Sequence, residues 1–262
     1  MSIKIPFFTA LQERISISFT WDDNSLRHYS YIAPLFSENH FYCTFYVVPG
    51  DEKFASTFAS QYSELNKKGF EIGSHSYSHK YMSKLSAEEA EVEFSRAAKE
   101  IFKYFNYYPI TFAFPNHDYN NELITEARSY YLETRNTLTN GLRFSIKTNT
   151  SLEGLIQAVN ESVRNRTNLV FSAHSIITEN EYQEKLSGEG YEPMRLLILS
   201  QLLQYLRSSS LKADIVTFAN ASIREFIKKR ARLRNGEWVV SSADLKSLEK
   251  YHITKDNIMS LL

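Results

Sequence analysis

His75 and His79 stand four residues apart, and an earlier run of alternating apolar residues ends on the adjacent carboxylates Asp22 and Asp23. Histidines at that spacing can point the same way from one turn of helix, where a single divalent cation bridges them. Zinc and similar cations take imidazole nitrogen and carboxylate oxygen, and a catalytic site leaves a position open for water. One aspartate with His75 and His79 supplies three protein ligands. The other aspartate is then a neighbour of the metal, able to take a proton from the bound water. Attack by that water on a carbonyl also requires a proton donor for the leaving group. His174, directly after the apolar run Leu169–Ala173, is the candidate. The set points to hydrolysis of an amide or ester through a tetrahedral intermediate. Taken singly, the pieces have plainer readings: two solvated histidines, a turn or helix cap, a satisfied core histidine. Their common position at the ends of expected strands favours the site.

Those expected strands come from the pattern along the chain. Ile15, Ile17, Phe19 and Trp21 alternate with Ser16, Ser18 and Thr20, the period of two that marks a strand. Strands are also expected at 41–48, 70–72, 110–114, near 131–134 and 142–146, at 169–173 and at 214–218. Helices are expected between them: 26–39, with Pro34 as a flaw or kink, 54 to Gly69, 86–105, 121–130, 151–166, 193–207 and 222–232. Gly69 suits a helix C-cap, and Ser86 with Glu89 fits a capping box. A polar, glycine-containing loop is expected over 179–190. Seven or eight strands alternating with helices predict parallel βα units, as a barrel or as an open doubly wound sheet. In both, ligands gather where strands end. Residues 235–262, with an Asn-Gly turn, a short strand at 238–240 and a final helix, read as a packing appendage to a domain of residues 1–234.

The composition narrows the function classes. The chain has 262 residues, 43% of them hydrophobic, enough for one large folded domain. Lys plus Arg and Asp plus Glu are both 30, so no global field draws in nucleic acid or an anionic membrane. Cys43 is the only cysteine and lies in an apolar run, which leaves no intrachain disulfide and no thiolate cluster. No stretch reads as a membrane span or a secretory leader, so a cytoplasmic location is expected.

The residues from Thr20 to Asn24, Thr-Trp-Asp-Asp-Asn, resemble the T-F-D-D-G motif of the polysaccharide deacetylases (carbohydrate esterase family 4, the NodB homology fold). His75-Ser-Tyr-Ser-His79 matches that family's H-[ST]-x-x-H. Phe112 to His117 occupies the place of its R-x-P-Y-G motif, and Ser172 to His174 that of its late L-x-H motif. The resemblance implies a distorted (β/α) barrel of seven strands. It implies Asp22 as general base, Asp23, His75 and His79 as metal ligands, and His174 as general acid. Pro115, Asn116 and His117 would lie on the substrate side, with the Asn116 backbone N–H helping to hold the oxyanion. The implied cofactor is a divalent metal, zinc first, with cobalt, nickel or manganese as alternatives.

The family arginine that steadies the base is replaced by Ala113 or Phe114, depending on alignment; Arg135 or Arg143 is the available substitute. Asn24 replaces the glycine after the aspartates, and no D-x-x-x-W motif is found. His117 is read either as a site residue or as a loop histidine in solvent. His28, His40 and His252 are read as structural or surface residues, and Tyr77 and Tyr119 as candidates for stacking on sugar rings. The expected activity is metal-dependent removal of the N-acetyl group from an N-acetylated sugar, in a glycan or glycoconjugate. The alternatives are another non-peptide amide hydrolase, acting on a formyl or cyclic amide, and a catalytically weakened carbohydrate-binding protein.

Overall fold

A computed structural model describes residues 3–6, 8–137, 141–184 and 193–259. Its centre is a parallel sheet of β1 (Ile15–Asp22), β2 (Thr44–Val47), β3 (Glu71–Ser74), β4 (Thr111–Phe112), β5 (Glu133–Thr134), β6 (Gly141–Ser145) and β7 (Asn168–Ala173). The spatial order is β5-β4-β3-β2-β1-β7-β6, and an eighth strand, β8 (Ala213–Ile215), pairs with the first residues of β1. Every pairing in this sheet is parallel. The sheet curls into a distorted half-barrel. Among the described residues β5 and β6 do not pair, so the barrel is open there.

The alternation along β1 separates two buried faces rather than a buried and a wet one. All eight residues of β1 are buried. Ile17, Phe19 and Trp21 join Phe45, Ile72, Leu169 and Phe171 in the main apolar core. Covering that face are α1 (Ala33–Glu38), α2 (Ala59–Lys67), α5 (Leu152–Asn165) and α6 (Leu196–Ser208), through Phe36, Tyr62, Leu155 and Leu202. Each fully buried side chain of this kind contributes about 1.5–3 kcal/mol. A second cluster, from α3 (Ala87–Phe105) and α4 (Asn121–Ala127), packs Phe94 and Leu123 on Phe112 and Phe114.

The inner face is polar and also buried: Ser16, Ser18, Thr20, Thr44, Thr111 and Ser172 are each at most 3% exposed. At its base Glu71 accepts from the Thr44 hydroxyl at 2.7 Å, from the Thr111 hydroxyl and from the Ala219 N–H at 2.7 Å. The carboxylate thereby holds the N-terminus of α7 (Phe218–Arg230), where helix N–H groups lack intrahelical acceptors. Tyr46 lies across the middle, its hydroxyl 3.1 Å from that of Thr111. Gly73 is required beneath it, because a Cβ there would come within 2.4 Å of the Tyr46 ring.

The expected helix ends are largely as drawn. Ser86 and Glu89 form the capping box that opens α3, and Gly69 is left-handed after α2. The helices expected from residues 26 and 54 instead begin with π-turns, His28–Ile32 and Phe54–Phe58. The strand expected over 110–114 keeps only Thr111–Phe112, because the Ala113 carbonyl turns to His75. The expected loop contains a short helix, Glu179–Gln183; residues 185–192 lie outside those described. Asn235 and Gly236, both left-handed, turn Arg232–Arg234 into Glu237–Val240, which pairs with Ile3–Lys4.

Candidate active site

Parallel strands bring all their C-terminal ends to one rim, and the candidate residues meet there. Asp22 is the last residue of β1, 3% exposed. Asp23 follows with φ 66°, a left-handed turn that aspartate tolerates better than most residues. His75 leaves β3, its Nδ1–H donating to the Ala113 carbonyl at 2.7 Å. A carbonyl can only accept, so the His75 Nε2 lone pair is free to face the carboxylates. His75 Nε2 lies 3.7 Å from Asp23 Oδ1, and His79 Nε2 lies 3.1 Å from the same oxygen.

The histidine pair does not ride on a helical turn. Residues 75–79 form a bend with Ser76 and His79 left-handed, at φ 63° and 58°. The Ser76 hydroxyl accepts from His79 N–H at 2.9 Å, and buried Glu93 accepts from Ser78 N–H at 2.8 Å. These contacts fold the bend back so that the two rings stand 5.0 Å apart. One ligand atom from each of Asp23, His75 and His79 falls within 4.8 Å of the others. Asp23 Oδ2 is buried without a hydrogen-bond partner. Two imidazole nitrogens and an oxygen of an unsatisfied carboxylate are a donor set that fits a divalent cation.

The missing arginine is supplied by Arg135, not Arg143. Arg135 follows β5, is 2% exposed, and grips Asp22 with both terminal nitrogens, Nη2 at 2.7 Å from Oδ2 and Nη1 on Oδ1. Nη1 also reaches the Thr20 hydroxyl at 3.2 Å, and the guanidinium lies over the Tyr46 ring. Burial alone raises the Asp22 pKa, but the Arg135 guanidinium and the nearby His75 outweigh it and hold the carboxyl well below its usual range. Burial pushes the His75 pKa down, whereas the hydrogen bond to Asp23 pushes that of His79 up. Arg143 instead donates to His117 Nδ1 at 3.0 Å. His117 thus sits at the charged rim beside Arg143. Asn116 and His117 are exposed, both at φ 55°, and Pro115 is buried. His174 follows β7, half-buried and near enough to Asp22 to bear on its charge. Tyr119 stays 39% exposed beside Phe114, whereas the Tyr77 ring is covered by Arg96.

Of the structural and surface readings open to His28, the structural one holds: it is wholly buried, bonded to Tyr62 and to the backbone of His174. No local sequence pattern marks His28, Tyr62 or Glu93, because their side-chain hydrogen-bond partners lie 15 or more residues away. Burial brings the His28 pKa from 6.5 down to about 4. Between those values the unfolded chain binds a proton that the native protein refuses, so stability rises with pH through this window. Lowering the pH from 7 to 4.5 is therefore expected to remove about 2–3 kcal/mol through His28, at roughly 1.4 kcal/mol per unit below 6.5. Urea midpoints of wild type and His28→Phe check this: the slope in that window should flatten in the variant.

The polysaccharide deacetylase family model matches residues 11–134, which hold Asp22, Asp23, His75, His79 and the Pro115 segment. Arg135 and His174 lie beyond the match. No curated protein sequence matches the chain. Among solved structures, the peptidoglycan deacetylase PdaC from Bacillus subtilis superposes with a TM-score of 0.53 at 16% identity, over 82% of this chain and 93% of that one. The Xyl-CE4 domain of a multidomain xylanase from the hindgut metagenome of Trinervitermes trinervoides gives 0.56 at 15%, over 82% and 92%. A family 4 acetyl xylan esterase from Clostridium thermocellum, in complex with a cobalt ion, gives 0.53 at 19%, over 79% and 89%. At these identities the likeness is one of fold. Residues 11–134 thus match the polysaccharide deacetylase model, and the half-barrel shares the fold of these solved structures.

Proposed function

We propose that this protein is a metal-dependent hydrolase that removes the acetyl group from an N-acetylated sugar. The observation that carries the reading is the convergence of Asp23, His75 and His79 within 4.8 Å, beside an Asp22 fixed by Arg135. In this reading Asp23, His75 and His79 hold the metal, with zinc first and cobalt, nickel or manganese as alternatives. A cation held there would supply Lewis-acid polarisation of the acetyl carbonyl and would make a water more acidic. Asp22, kept ionised by Arg135, takes the proton from that water. His174, on the separate strand end β7, gives a proton to the departing amine nitrogen. Arg135 holds Asp22 through two contacts and favours its ionised form. Pro115, Asn116 and His117 border the substrate, with the Asn116 N–H directed to the developing oxyanion. Residues 1–234 form the catalytic domain and 235–262 its packing appendage. Among the described residues no helix is long and apolar enough to cross a membrane.

Metal content by elemental analysis, paired with acetate release from N-acetylated saccharides, tests the reading in wild type and His79→Ala. Stoichiometric metal and acetate release are expected in wild type, and both are expected to be lost in His79→Ala. Bound metal without acetate release would redirect the assignment to a different acyl group. No metal in either protein, even after zinc or cobalt addition, would sink it.

A further inference from the structure

His28 lies outside the set just assigned, yet it joins two strand ends that the set depends on. Its ring is 0% exposed and stacks on Phe45 at 5.0 Å between centroids. Nε2 is 2.7 Å from the backbone carbonyl of His174, which can only accept, so Nε2 carries the proton. Nδ1 is then an acceptor, and the Tyr62 hydroxyl 2.8 Å away must donate to it. That fixes the hydroxyl: its oxygen accepts from the backbone N–H of Ser25 at 3.1 Å. The result is a directed chain from Ser25, two residues after Asp23, through Tyr62 and His28 to His174. The adjacent Arg27 grips the same far segment, donating to the Ile176 carbonyl at 3.0 Å and pairing with Glu181. Tyr62, at 2% exposure, is nearly as enclosed as the histidine.

We propose that His28, through Tyr62 and the His174 carbonyl, is a positioning residue that sets the separation between the Asp22–Asp23 turn and His174. The inference rests on the deacetylase reading for the role of His174, but the strut itself does not. Its geometry determines which hydrogen bonds a replacement must keep. Phenylalanine fills the space and makes neither bond. Glutamine offers an N–H to the His174 carbonyl and an oxygen to Tyr62.

His28→Phe is expected to lower kcat for acetate release by about 10- to 100-fold, the usual loss for a supporting partner, with KM and metal content unchanged. His28→Gln should recover most of that loss, and Tyr62→Phe should fall between it and wild type. A folded, metal-loaded His28→Phe with wild-type kcat would overturn the proposal, as would a glutamine variant no better than phenylalanine. Should His28→Phe fail to fold, Tyr62→Phe decides by the same comparison. Long-range 1H–15N spectra of the imidazoles give a readout independent of substrate. Wild-type His28 should be the Nε2–H form from pH 5.5 to 8, and the His174 ring signals should move in Tyr62→Phe. An Nδ1–H form, or unmoved His174 signals, overturns the strut even if wild type releases no acetate, a result that would count separately against the deacetylase reading.

Discussion

Replacing Arg135 with methionine is expected to destabilise the metal-free protein by about 3–5 kcal/mol at pH 7, and adding Asp22→Asn should restore much of the loss. Asp22 and Arg135 are both almost wholly buried and bonded through two nitrogen–oxygen contacts. Removing one member of such a pair strands the other charge in a medium that solvates it poorly. Removing both charges exchanges an ion pair for neutral groups of similar volume, a change that is often nearly neutral. The double variant should therefore be more stable than Arg135→Met alone. Urea unfolding of the four proteins in a double-mutant cycle measures the coupling. Simple additivity would show that the guanidinium does not hold the carboxylate in solution.

Asp22→Asn by itself is expected to lower kcat for acetate release by about 10²- to 10⁴-fold, the range for losing a positioned general base. Asparagine keeps an oxygen for Arg135 but cannot take a proton, and the proposed metal ligands Asp23, His75 and His79 are untouched. Metal content should hold and KM change little, in contrast to His79→Ala. Acetate release at the wild-type rate from a metal-loaded Asp22→Asn protein would remove Asp22 from the chemistry. Arg135 lowers the basicity of Asp22, a difference that a cation bound at the proposed site would offset by making water more acidic.

Much of this layout was legible in the chain because its signals are local. Strand ends, the Ser86 capping box and the left-handed Gly69 depend on residues within a few positions of one another. The features that sequence left open are set by contacts across the fold. Arg135 and Arg143 were equal candidates in sequence, and only the curl of the sheet decides that the residue after β5 reaches an aspartate 113 positions earlier. His75 and His79 have helical spacing, but two left-handed residues and the Glu93 carboxylate bring them together over a bend. The serines of β1 look solvent-facing by their type. They are buried because the sheet curls around them.

That buried inner face has a thermal consequence. Unfolding raises the heat capacity where apolar surface becomes wet and lowers it where polar surface does. Ser16, Ser18, Thr20, Thr44, Thr111 and Ser172 line a space that an ordinary hydrophobic interior would fill with aliphatic groups. Their exposure subtracts from the heat-capacity increment. Calorimetry should accordingly find a broader, shallower curve of stability against temperature than for a domain of this length with two apolar faces.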